Sequence, residues 1–359
     1  MRVSYKKNSS EENLYRILLS KADFMVFFYI VISFVFFILV ASPVLNEKMD
    51  FQFYADSKTY EAFALTETSA DGLVKISSNY LGPFLILKLL GPKNYFLIFL
   101  FNLTLLLISI HIIRNHLKLG FEAFLLLLFI SPFTFTSLFS VNKEIISLIC
   151  MSLLISYIYK QALVKAILII FLSYLVRWQL TVFVVLVLLL YPAFINTFKK
   201  KMIIFLCGLF VISFLLKLLS NTLFYDVFAV YELTGDSYTE GSGSFNTLMN
   251  IQAQQGYFLA FIPKSFHLWM GMISRYGLVF DFTDTYNNFI VFWQAPINML
   301  TLWLLFKRKL FTFNNPFFYI IVLYFLVFAI TPIYAIRYFY GVYILVIFLI
   351  SNKEFRNTN

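Results

Sequence analysis

Charge is scarce in this chain. Only 13% of its 359 residues are Asp, Glu, Lys or Arg, against 61% hydrophobic residues. A soluble domain carries roughly twice that share of charge. Cysteine is almost missing as well: Cys150 and Cys207 both fall inside apolar runs, which excludes a disulfide framework and reads as core packing. The three histidines, His111, His116 and His267, are scattered and make no metal-ligand spacing. There is no P-loop, no G-x-S-x-G, no H-E-x-x-H and no DNA-binding module. A nucleotide-dependent reaction therefore has no obvious seat, and neither a cofactor nor a metal is expected. The net charge of +10 fits the basic bias of one membrane face better than a nucleic-acid surface.

What the chain has instead is apolar runs from end to end: Phe24–Leu45, Tyr95–Ile113, Phe121–Phe139, Ile145–Tyr159, Ala166–Leu175, Leu180–Ile195, Met202–Leu219, Tyr286–Phe306, Pro316–Pro332, and one opening at Arg337 and closing near Ile350. The runs are continuous rather than alternating, which excludes a β-barrel. No small-residue cleavage site follows the first run, so it reads as a retained helix. The expected fold class is all-α: a polytopic integral membrane protein of about ten transmembrane helices in a single transmembrane domain over 1–359. Two long outer segments interrupt the pattern. One, 46–94, holds a short re-entrant or interfacial helix near Leu81–Gly91; the other, 220–285, holds an interfacial helix over Tyr257–Met272. Lys199-Lys200-Lys201 and Lys307-Arg308-Lys309 belong inside by the positive-inside rule, which puts both termini in the cytoplasm.

This topology lines up a set of charges on the outer side: Asp56, Lys58, Lys143, Glu144, Arg177, Arg275 and Arg337. The tightest spot is Ser140-Val141-Asn142-Lys143-Glu144, a gap between two apolar runs too short to be an independent loop. Cations at outer helix ends oppose the usual bias, and a bound phosphate or pyrophosphate would favour them there. Lys143, Arg177, Arg275 and Arg337 are the candidate pyrophosphate ligands. Asp56 and Glu144 are the candidate catalytic carboxylates, with Lys143 an alternative ion-pair partner for Glu144. Lys58, Tyr60 and Tyr338 are candidate glycan contacts beside these charges.

The acid-Tyr pattern of Asp56 and Tyr60, the stretch from Ser131-Pro132 through Asn142-Lys143-Glu144, Arg177 after the fifth run, and Arg337-Tyr338 opening the last together resemble the Wzy-type polymerases of O-antigen and capsule assembly. More loosely, the chain resembles lipid-linked-sugar glycosyltransferases of the GT-C class. The resemblance implies polymerisation of undecaprenyl-pyrophosphate-linked repeat units on the periplasmic face of a bacterial inner membrane. The donor and acceptor would be lipid-linked glycans, and a chain-length regulator and a flippase would be partners. Two other functions suit a polytopic protein: a lipid-linked-oligosaccharide flippase, and a membrane acyltransferase that modifies surface glycans. The outer clustering of charge favours chemistry at one face over a path through the bilayer midplane.

Overall fold

The structure is a computed structural model that describes residues 2–3, 17–18, 20–47, 57–66, 80–117, 119–194, 198–219, 248, 251–252, 256–270, 290–330 and 336–353. The regular elements among the described residues are helices, apart from a two-residue antiparallel pairing of Arg2–Val3 with Ile17–Leu18.

Helix α1, Lys21–Leu45, opens on a capping box in which Ser20 and Asp23 satisfy each other's backbone N–H groups. Near its end Pro43 cannot donate to the carbonyl of Leu39, and the helix widens into a π turn over Phe37–Ala41. Then come α2 (Ser57–Leu65), α3 (Leu81–Leu90) and α4 (Tyr95–Arg114), the last capped by Asn94. The expected single span over Phe121–Phe139 is broken. It forms α5 (Phe121–Phe129) and a short α6 (Pro132–Thr136), with Ser131 extended between them. The reason is local: Pro132 has no N–H to continue α5, while Ser131 caps the new helix by accepting from the Thr134 N–H.

Helix α7 (Lys143–Tyr159) starts at Asn142, whose Oδ1 accepts from the backbone N–H groups of Glu144 and Ile145. It is followed by α8 (Leu163–Val176), α9 (Trp178–Phe194), α10 (Phe198–Leu219), α11 (Tyr257–Met270), α12 (Val291–Lys307), α13 (Pro316–Phe328) and α14 (Phe339–Ser351). Three described helices are long and apolar enough to cross a membrane: Lys21–Leu45, Tyr95–Arg114 and, within α10, Lys200–Leu218. The first and last lie at the periphery, with only 22% and 17% of their most apolar stretch buried.

The core is organised around α14. Every residue from Phe339 to Ser351 is buried, as an all-apolar helix requires. It packs against α5, α7, α12 and α13. Helix α7 in turn packs against α4 and α8. Two glycines permit close approach. A Cβ at Gly82 on α3 would meet the carbonyl oxygen of Leu175 on α8 at 2.3 Å. Gly120 has φ +96° and leaves room for the backbone of Ser351.

Candidate functional site

Three joints in this bundle meet at one end: the start of α7, the α8–α9 link and the start of α14. The first is fixed by asparagines. Buried Asn102 on α4 donates to the carbonyls of Leu138 (3.1 Å) and Ser140 (3.0 Å), and Asn142 donates to Ser137 and Ser140 carbonyls at 3.0 Å. The gap that carries Glu144 is therefore held from two sides. At the second joint, Arg177 alone separates two helices; its backbone is extended and its N–H still donates to Ser173. The third is a single 3-10 turn, Ile336–Tyr338, on which Arg337 precedes α14.

The side chains from these joints converge. Arg177 Nη2 lies 3.5 Å from Glu144 Oε1, and both side chains are about nine-tenths buried (9% and 10% exposed). At that length the link is mainly Coulombic rather than a strong hydrogen bond. The Arg177 guanidinium also sits 4.0 Å from the centre of the Tyr338 ring, and the Arg337 guanidinium lies 5.8 Å from the same ring. The Tyr324 hydroxyl donates to the Tyr338 carbonyl. These residues, with Ser147 and Gly341, line a cavity of about 10 Å³, room for roughly one water molecule. Among its lining residues are one carboxylate and two guanidiniums, groups suited to a proton and an anion respectively.

Beside it, consecutive positions point apart. Glu144 turns to Arg177, whereas the Lys143 ammonium lies 5.5 Å from the Tyr60 ring and 5.2 Å from the Tyr80 ring. The two rings contact each other edge to face at 5.6 Å. In place of the alternative Lys143–Glu144 pair, Glu144 pairs with Arg177 and the Lys143 ammonium lies against aromatic faces. A rotation of about 100° per helical residue explains the divergence.

Of the residues singled out from the sequence, Glu144, Arg177, Arg337 and Tyr338 share the cavity, and Lys143 and Tyr60 form the adjoining box. Lys58 does not join them. It is exposed on the other side of α2 and pairs with Glu47 at 3.5 Å. Asp56 and Arg275 lie outside the described residues.

Several neighbours were not singled out. Ser147 follows Glu144 by three residues and so shares its helix face. Gly341 likewise follows Tyr338 by three. Tyr80 and Tyr324 carry no sequence signal beyond being aromatic. Glu61, next to Tyr60, accepts from the Tyr95 hydroxyl at 3.2 Å. Burial pushes its carboxyl up to about 6, against the lowering effects of Tyr95, Lys58 and Lys93.

The opposite end of α7 carries a second polar cluster. His116 Nε2 lies 3.0 Å from Ser156 Oγ, which also accepts from Lys165 Nζ at 2.7 Å. Burial, and then the Lys165 charge, lower the pKa of His116. No metal-ligating cluster of three His, Cys, Asp or Glu occurs among the described residues.

In comparisons with known proteins, no family model, curated protein or solved structure matches the chain.

Proposed function

We propose that the chain is a multispanning membrane glycosyltransferase of the polysaccharide-polymerase type. It would join undecaprenyl-pyrophosphate-linked repeat units at the periplasmic face of a bacterial inner membrane. In this reading about ten spans are made by the three long helices together with the shorter ones, and both termini are cytoplasmic. One observation carries the proposal: Glu144, Arg177 and Arg337, from three separate parts of the chain, meet with Tyr338 around one cavity.

The chemistry assigns each group a task. The acceptor hydroxyl attacks the anomeric carbon of the donor sugar, the bond from that carbon to the pyrophosphate oxygen breaks, and the lipid pyrophosphate leaves with the electron pair. Arg177 and Arg337 stabilise the charge that develops on the leaving group. Glu144 takes the acceptor proton, and Arg177 lies 3.5 Å from its carboxylate. The cavity holds about one water, so a phosphate reaches Arg177 only when the Tyr338 ring moves off the guanidinium. Lys143 between Tyr60 and Tyr80 would face the glycan beyond the phosphate.

The test is a gel of surface polysaccharide from cells carrying Arg177→Ala or Arg337→Ala. Loss of the long-chain ladder, with single repeats retained and membrane insertion intact, is expected. A normal chain-length distribution in both variants would overturn the proposal, and loss of all repeat-bearing material would point to a flippase.

The acyltransferase reading has one observation in its favour, the 3.0 Å approach of His116 Nε2 to Ser156 Oγ, a hydroxyl beside a potential base. Loss of a glycan acetyl group in Ser156→Ala, with chain length unchanged, would favour it.

A further inference from the structure

Arg177 is only 7% exposed, yet its side chain is thinly satisfied. Among the described residues the side chain's one hydrogen-bond acceptor is Glu144 Oε1, at 3.5 Å, whereas a guanidinium carries five N–H donors. A buried donor without an acceptor is costly, so a group with several acceptor oxygens is the natural complement. What covers the guanidinium instead is a ring: the centre of Tyr338 lies 4.0 Å from its carbon. The cavity beside them is about 10 Å³, the space of one water and too small for a phosphate.

We propose that the Tyr338 ring is a built-in cap on the phosphate subsite, a self-contact that excludes free phosphate and yields to a lipid-linked pyrophosphate. The inference rests on the assignment of Arg177 to a phosphate made above. Of the cavity wall, the ring is the part able to move. Glu144 and Ser147 belong to α7, Tyr324 and Phe328 to α13 and Gly341 to α14, all of them hydrogen-bonded helices. Tyr338 belongs to the single turn before α14. Its carbonyl is anchored by the Tyr324 hydroxyl, but its side chain is half-buried and meets the Phe328 ring loosely, at 6.4 Å. Rotation about the Cα–Cβ bond therefore carries the ring off Arg177 while the turn stays anchored. An ion that enters must displace the ring, and its apparent affinity falls in proportion to the fraction of chains in which the ring is open. A free phosphate has only its charge contact to set against that. A pyrophosphate on a lipid brings its tail and glycan to the same binding event, so the cap discriminates in its favour.

The experiment is calorimetric titration of the full chain, purified in detergent, with inorganic pyrophosphate. Weak binding by the unaltered chain is expected. Tyr338→Leu, which removes the ring face and keeps an apolar side chain, should tighten it by about tenfold, the scale of a desolvated cation–π contact. Tyr338→Phe should leave it unchanged, because the face and not the hydroxyl covers the guanidinium. Tyr338→Trp, the strongest cation–π partner, should weaken it, and this variant tests the cap where Tyr338→Leu does not fold. Arg177→Lys keeps the charge, loses the planar fork and should weaken binding in each background. Affinity in Tyr338→Leu equal to or weaker than that of the unaltered chain overturns the cap and leaves the phosphate site standing. For Tyr338→Trp, equal or tighter binding does the same. Affinity unchanged by Arg177→Lys places the ion elsewhere and overturns the cap too. Pyrophosphate bound by none of the forms, Tyr338→Leu included, fails the phosphate reading itself and the cap with it.

Discussion

The Tyr324 hydroxyl occupies the space that a side chain at Gly341 would need. A Cβ there would lie 2.8 Å from that oxygen, which is itself committed to the Tyr338 carbonyl. The absence of a side chain on α14 thereby fixes the turn that carries Arg337 and the ring that covers Arg177. Gly341→Ala is expected to cost about 1–3 kcal/mol, the usual effect of overpacking a filled core. It should also reduce polysaccharide chain length, and Tyr324→Phe in the same background should restore part of the stability. Unfolding in mixed micelles measures the first effect and a surface-glycan gel the second. No loss in either would mean that the turn accommodates the methyl group freely.

Glu144 and Arg177 should behave as one unit. Removing either partner leaves a buried charge uncompensated, at a cost of about 3–5 kcal/mol, whereas removing both costs less than the sum. A double-mutant cycle with Glu144→Gln and Arg177→Gln therefore predicts a favourable coupling of about 1 kcal/mol or more. Additive effects would show that the 3.5 Å approach contributes nothing.

The aromatic box makes a separate claim. Lys143→Met keeps the length of the side chain but removes its attraction to the Tyr60 and Tyr80 rings, worth about 0.5–2 kcal/mol. Tyr60→Leu and Tyr80→Leu should each lose much less in the Lys143→Met background than in the unaltered chain. Equal losses in both backgrounds would argue that the rings are ordinary packing.

Glu61 sets a pH dependence of opposite sign to the usual acid-labile carboxylate. Its folded pKa is raised from an ordinary 4.5 to about 6, so the folded chain binds this proton more tightly than the unfolded one. The contribution at this site should grow as pH falls from about 6 toward 4.5 and should be smallest at pH 7 and above. Thermal midpoints in detergent across that window measure it. Glu61→Gln, which resembles the protonated form, should flatten the slope; an unchanged slope would place the effect elsewhere.

The helices were largely legible in the sequence because apolar runs and their caps are local. Tyr95–Ile113 became Tyr95–Arg114, and Asn142 begins α7 as an N-cap should. Phe121–Phe139 was not legible, since hydropathy records which solvent a stretch prefers and says little about its path past Ser131-Pro132. The convergence of Glu144, Arg177 and Arg337 could be anticipated because charges among apolar runs are costly and tend to seek one another. Lys58 offered no such cue, because a loop lysine is as well satisfied by Glu47 as by any ligand. Tyr324 and Glu61 owe their surroundings to tertiary packing alone, and an aromatic residue in an apolar run or an acid in a loop looks like many others.

Helix α14 also sets an order of assembly. Its thirteen residues extend about 20 Å, short of a bilayer's hydrocarbon thickness, and all are enclosed by α5, α7, α12 and α13. Each of those partners precedes it in the chain, so α14 is the last of the five to be synthesised. Until translation supplies it, the faces of those four helices that α14 covers lack that cover.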